Sequence, residues 1–424
     1  MHLTEQETAW LAGDAGPAIR RAMEIVVALG KIYGAERLIP VASVQISGVS
    51  YRNIGAAGLE FLRRWADEGA RVRVPTTLNP TAMDMQAWRV QGFDPAFAAK
   101  QQEVVAVFAR MGVGGGRPIP TCTPYLIGNT PAPGEHIAWA ESSAVSYANS
   151  VLGARTNREG GPGAIAAALT GRTGAYGLHL DAARRATLRV DVTASPHSIP
   201  DFSALGAIVG RAAAKRVPYF EGLPLARGDN LWREKLKALG AAMAATGAVA
   251  LYHVAGVTPE AATSAILAAD HEMLVVDDLA PGYAQFNDDV ASVDLVWIGC
   301  PHASLAEIAL AAEAVRGRRL RTPLWITCAR SVKDAAAAQG LAADIEAAGG
   351  RIIADACMAI APVKELGFAC VATPSAKGAF YLRNLAGVAA HFGTLEQCIA
   401  AAITGEWRAI AVDGSGLARA ELAG

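Results

Sequence analysis

Six cysteines carry the first chemical signal in this chain: Cys122, Cys300, Cys328, Cys357, Cys370 and Cys398. They are sparse and far apart, unlike the dense framework of a small secreted domain, so they read as thiols or metal ligands of a reducing compartment. No pair has C-x-x-C spacing and no histidines form an H-E-x-x-H pattern, which argues against a compact zinc site. Dispersed thiolates suit an iron–sulfur cluster held in a cleft between domains. Cys300 and Cys357 each lie just past an apolar run, at residues 294–298 and 351–354. Pro120 and Pro124 on either side of Cys122 would pin a third thiol in a rigid loop. Three thiolate ligands instead of four would leave one iron open to substrate, as a Lewis-acid site needs.

The elements that must position these thiols follow from periodicity. Residues 17–29 and 58–67 have helical spacing, and residues 38–44 and 71–74 read as strands running into polar loops at 47–51 and 75–80. Between about 200 and 290 lie two Ala-rich helices with short strands at 248–252 and 273–276. The last third alternates strands at 294–298, 324–327, 351–354 and 368–372 with helices at 304–315 and 336–348. Thr4/Glu7 and Ser304/Glu307 have the spacing of capping boxes that open helices. The glycine run 112–116 lacks the strand and helix context of a phosphate loop and reads as a turn. Alternation of this kind predicts an α/β fold with parallel sheets, divided as 1–198, 199–290 and 291–424. Open parallel sheets bind ligands beyond the carboxyl ends of their strands, and Cys300, Cys328, Cys357 and Cys370 are all expected near one such rim.

Composition narrows the function. Of the 424 residues, 52% are hydrophobic and 18% charged, and the formal net charge is −1, so the chain has large cores and no electrostatic reason to coat nucleic acid or an anionic membrane. The N-terminus has no basic region followed by an apolar core, and no apolar run reaches a membrane span of roughly 18 residues. A cytoplasmic protein is expected.

Several longer motifs go further. Thr121-Cys122-Thr123-Pro124-Tyr125-Leu126, Trp139-Ala140-Glu141-Ser142-Ser143-Ala144-Val145 and Gly153-Ala154-Arg155-Thr156-Asn157-Arg158-Glu159-Gly160 together resemble aconitase X. So do Val74-Pro75-Thr76-Thr77-Leu78-Asn79, Gly299-Cys300-Pro301-His302 and Ser375-Ala376-Lys377, so the resemblance spans nearly the whole chain. It implies an aconitase-like fold, three α/β domains around a central active-site cleft, and a hydro-lyase with an iron–sulfur cluster, of 2Fe–2S type in preference to 4Fe–4S. Cys122, Cys300 and Cys357 are the implied metal ligands, and Arg158, Lys377 and His302 the catalytic group. Ser47, Gly48, Thr77, Asn79, Asn157, Arg158, Glu159, Ser375 and Lys377 are implied to bind substrate, with Asn157 and Glu159 orienting an Arg158 clamp on a carboxylate.

Family members also carry a fourth, swivelling domain. The sequence after Ala401 is only a short tail, so that domain is expected as a separate small subunit, which would also bring a serine as the base. One departure is Asp355-Ala356-Cys357, where the family commonly has Thr in the middle position. The expected substrate is a small β-hydroxy acid, first cis-3-hydroxy-L-proline, whose hydroxyl and carboxylate share one ring face. Mevalonate 5-phosphate is the alternative and needs further cations, for which Arg52 or Arg155 would serve. An iron-sensing RNA-binding protein is the rival of a different class, and the balanced charge argues against it.

Overall fold

The computed structural model describes residues 1–225 and 229–408. The last third is a five-stranded parallel sheet ordered Arg351–Ala354, Leu324–Cys328, Leu295–Ile298, Cys370–Thr373, Ala389–Phe392. Leu295–Ile298 and Leu324–Cys328 are buried at every residue, as a sheet covered on both faces requires. In chain order these strands run 3-2-1-4-5, so the winding reverses between Leu295–Ile298 and Cys370–Thr373. A crevice opens at such a reversal, and beside it lie the loop that carries Cys300 and the first turn of the helix Ala376–Tyr381, which carries Lys377.

The first unit has a three-stranded parallel sheet, Thr76–Leu78, Val44–Ile46, Ala138–Trp139, and an antiparallel pair, Leu38–Pro40 with Arg172–Gly174. Trp65, Phe108, Val44 and Ile46 share its core. The second has four parallel strands, His253–Val254, Pro218–Glu221, Ala186–Val192 and Leu267–Val276.

Several expectations change. The strand at 38–44 is two strands in two sheets, because the pairing with Arg172–Gly174 ends with Val41 N–H on Gly171 O and Ala42 N–H turns to His136 O. Residues 71–74 form no strand; Val72 and Arg73 N–H donate to Met111 O and Ala168 O, and the ladder starts beyond Pro75, which has no N–H. Residues 248–252 form none either, because Asn149 and Ser150 side chains take the bonds of Ala250 O and Tyr252 N–H. The helix at 336–348 is two helices, Arg330–Ala338 and Leu341–Ala348, parted at Gly340 with φ 77°. Ala186–Val192 pairs with strands of the second unit, so that unit begins before the expected boundary at 198. Of the expected third region, residues 409–424, which include most of the short tail, lie outside the described residues. Both capping boxes are present.

The expected gathering of four cysteines also changes. Cys370 is the first residue of its strand and therefore stands at the opposite, amino-end rim. Cys328 ends its strand but packs in the apolar core with Ile326 and Ala329, and Cys398 is buried inside the helix Leu395–Thr404.

The first and third units are tied by charge. Arg330 Nη2 lies 2.7 Å from Asp84 Oδ1, its Nε donates to Asp355 Oδ2 at 3.0 Å, and Asp84 also accepts from Ala354 N–H at 3.0 Å. Burial would raise Asp84, yet backbone donors and Arg330 hold it down at about 2. Arg330→Met would strand the buried Asp355 and leave Asp84 with Lys333, 3.3 Å away, as its cationic partner. We expect a loss of about 2–3 kcal/mol of stability, below the full cost of orphaning a buried ion because Arg330 is partly exposed, measured by denaturant unfolding.

Candidate active site

The carboxyl ends of two parallel sheets face one cavity of about 510 Å³. From the first unit come Ser47 after Val44–Ile46, Asn79 and Pro80 after Thr76–Leu78, and Ala140, Glu141 and Ser142 after Ala138–Trp139. From the third come Cys300, Cys357 and Lys377, each just past a strand end. Cys122 arrives because Thr121 N–H donates to Leu78 O at 2.8 Å, laying its loop beside that strand. All three thiols singled out from the sequence therefore line one cavity.

His302 holds their loops together. It is fully buried; Nε2 is 2.8 Å from Ala356 O and Nδ1 is 3.0 Å from Thr121 Oγ1. A carbonyl only accepts, so Nε2 carries the hydrogen and Nδ1 accepts from Thr121. Burial pushes His302 down to about 4, which keeps that neutral form. Its own N–H donates to Cys122 Sγ at 3.2 Å. One residue thus joins the segments beside all three thiols. Gly299 permits this turn: its φ is +105°, and a Cβ would lie 2.1 Å from Thr327 O.

Lys377 is 95% buried, and its Nζ donates to Glu141 Oε1 at 2.5 Å and Ser143 Oγ at 2.8 Å. Burial opposes both charges, but each stabilises the other: Glu141 is held below the usual carboxylate range and Lys377 well above the usual ammonium range. Gln45 supports this wall, donating to Thr121 O at 3.0 Å and accepting from Glu141 N–H at 3.3 Å. Burial pushes all three thiols up, Cys122 to about 12, while Lys377 pulls each down. Such thiols ionise when a cation compensates, as on metal binding. Among the described residues no three His, Cys, Asp or Glu side chains are arranged to hold one metal ion. Three soft sulfur donors spread over a cavity wall fit a multi-iron group better than a single ion.

Not every expected residue is in the cavity. Ser47, Asn79, Arg158, Glu159 and Lys377 line it. Thr77 lines a different cavity and its hydroxyl donates to Val44 O at 3.4 Å, because it lies within the strand Thr76–Leu78, short of the carboxyl end that opens on the site. Asn157 is turned away to the segment after the strand Arg172–Gly174, donating to Tyr176 O at 3.0 Å and accepting from Leu178 N–H at 2.9 Å. Ser375 caps the helix Ala376–Tyr381, donates to Cys300 O and lines the cavity behind it. Gly48 supplies a turn with φ 80° beside Ser47 without lining the cavity, and His302 spends both ring nitrogens on loops. Neither Asn157 nor Glu159 hydrogen-bonds Arg158 among the described residues, so the expected orienting contacts are not made. Arg155 pairs with Asp181, and Arg52 donates to Ala361 O at 2.5 Å on a separate cavity. Sequence reasoning missed Glu141, although it lay inside a quoted motif; its sign was a carboxylate between a strand and two serines.

Three parallel sheets, two of which bring their carboxyl ends to a polar, thiol-lined site, define an α/β enzyme of aconitase type. Models of the aconitase X first, second and third domains match residues 1–182, 186–288 and 293–404. The phosphomevalonate dehydratase large subunit of Methanothermobacter thermautotrophicus is 48% identical over 92% of this chain and 95% of its own, and that of Thermococcus kodakarensis 49% over 91% and 95%. The cis-3-hydroxy-L-proline dehydratase of Hypocrea jecorina is 36% identical over 96% of this chain but 69% of its own. A crystal structure of Thermococcus kodakaraensis aconitase X in its holo-form superposes with a TM-score of 0.87 at 47% identity, covering 95% of this chain and all of that one. The chain belongs to the aconitase X family and is a hydro-lyase. Among its described residues no helix is long and apolar enough to cross a membrane.

Proposed function

We propose that this chain is the large subunit of a two-subunit cytoplasmic dehydratase that removes water from mevalonate 5-phosphate. The identity gradient carries this reading: four phosphomevalonate dehydratase large subunits match at 41–49% over nearly their full length, and a fifth at 36%. Hydroxyproline dehydratases match at 36% and 38% and extend well beyond this chain, which covers 69% of each. That gradient displaces cis-3-hydroxy-L-proline, the substrate first expected from the motifs, to second place. It stays as the second reading because the similarity to those enzymes also covers 94–96% of this chain.

Cys122, Cys300 and Cys357 would hold an iron–sulfur cluster, with 2Fe–2S the favoured type. Such a group, when bound, supplies a Lewis acid for a departing hydroxyl. The chain's own residues do the rest. Lys377 and Arg158 present positive charge to the substrate's carboxylate and phosphate. Glu141 fixes the Lys377 ammonium at the wall. The base that takes the proton alpha to the carboxylate comes from the small subunit.

The test is a substrate panel on the complex with its small subunit, purified without oxygen. Mevalonate 5-phosphate should exceed cis-3-hydroxy-L-proline by at least ~100-fold in kcat/KM, about 3 kcal/mol in barrier. The reverse order would favour the second reading, in which trans-3-hydroxyproline should react at least ~100-fold more slowly than the cis isomer. Full turnover by this chain without its partner would contradict the two-subunit assignment.

A further inference from the structure

Glu159 is built into the cavity in an unusual state for a carboxyl. It lines the same space as the three thiols yet is only 6% exposed. Thr173 Oγ1 donates to Oε1 at 3.0 Å, and among the described residues this is its one side-chain hydrogen bond, with no ion pair. Lys377, by contrast, is fully engaged with Glu141. The placement is tight: Glu159 N–H donates to Trp139 O at 2.9 Å, and a Cβ on Gly163 would lie 3.3 Å from Oε2 and 3.0 Å from Leu29 Cδ1. The titratable groups around it are Tyr176, Arg158 beside it in sequence, and Glu141, Lys377 and the thiols on the cavity wall.

Burial pushes this carboxyl up to about 7, and the Thr173 bond offsets that only in part. A substrate carrying a carboxylate or phosphate adds negative charge nearby and favours the protonated form further. A protonated carboxyl can give a proton but cannot take one.

We propose that Glu159 is the general acid of the dehydration, delivering its proton to the hydroxyl that leaves. The carbon–oxygen bond breaks with its electron pair on oxygen, which takes the Glu159 proton and departs as water. The electron pair of the C–H bond alpha to the carboxylate becomes the new carbon–carbon double bond as the partner's base takes that proton. The base returns its proton to solvent and solvent reprotonates Glu159, so the net products are the 2,3-unsaturated acid and water. This inference rests on the dehydratase reading above.

The experiment uses the complete two-subunit enzyme and the 3-fluoro analogue of its accepted substrate, whose fluoride leaves without needing a proton. Glu159→Gln should lower kcat on the hydroxy acid by at least ~100-fold, within the usual range for a lost general acid, with KM changed less than about threefold. On the fluoro analogue the loss should shrink to under about fivefold. Wild-type kcat on the hydroxy acid should fall as pH rises through the Glu159 ionisation, and this alkaline limb should vanish with the fluoro analogue, which requires no variant to fold. Glu159→Asp should retain the limb at a reduced rate. Equal losses on both substrates, a Glu159→Gln kcat within about threefold of wild type, or the same alkaline limb for both leaving groups would overturn the proposal. A wild-type enzyme that dehydrates no β-hydroxy acid would instead overturn the dehydratase reading, and this one with it.

Discussion

Replacing Cys122, Cys300 or Cys357 by serine, one at a time, should strip bound iron and lower turnover by at least ~1000-fold, about 4 kcal/mol in barrier. The three share one cavity wall, and the other three cysteines do not. Serine keeps the volume but is a hard, poorly ionised donor where a soft thiolate is needed. Cys328→Ser, Cys370→Ser and Cys398→Ser should keep iron and activity; those at 328 and 398 should cost stability, because a hydroxyl is then buried in an apolar core. Iron content per chain and visible absorbance decide the matter. Bleaching by Cys370→Ser with an intact Cys122→Ser would show that the ligand set is wrong.

Lys377→Met should lower kcat/KM by at least ~1000-fold and destabilise the fold by about 3 kcal/mol. Two effects combine. The ammonium that faces the cavity disappears, and Glu141, buried against Ser142 and Ser143, is left as an uncompensated charge. They separate in the double variant. Adding Glu141→Gln removes the orphaned charge and should recover most of the stability, while activity stays low because the Lys377 cation no longer meets the substrate and Arg158 is left alone to do so. Recovery of activity with stability would mean that Lys377 acts only as a structural counterion.

Residues that failed to reach the cavity show how far local pattern carries. Thr77 and Asn79 lie in one short motif, yet only Asn79, past the carboxyl end of the strand Thr76–Leu78, lines the cavity, while Thr77 lies within the strand and lines another. Cys370 sits at a strand end as expected, but at the amino end, and strand direction turns that one fact into the opposite rim. The motif Asn157-Arg158-Glu159 divides three ways: one side chain bonded to Tyr176 and Leu178, one lining the cavity, one buried beside Thr173.

By itself the sequence determined what is local or compositional. Hydrophobic runs and capping boxes placed most strands and helices of the last third, because periodicity and end-capping act over a few residues. Spacing put Cys300, Cys328, Cys357 and Cys370 near one rim and Cys122 in a proline-flanked loop, and the resemblance to aconitase X implied Cys122, Cys300 and Cys357 as the ligand set. What only the tertiary structure decided was which distant groups meet. Glu141 with Lys377, Asp84 with Arg330, and His302 with Thr121 and Ala356 are each more than fifty residues apart in the chain, joined where strands of separate sheets end. Charge pairing and desolvation depend on distance in space, so the burial of Glu159, with no ion pair among the described residues, became visible only when the sheets closed around it.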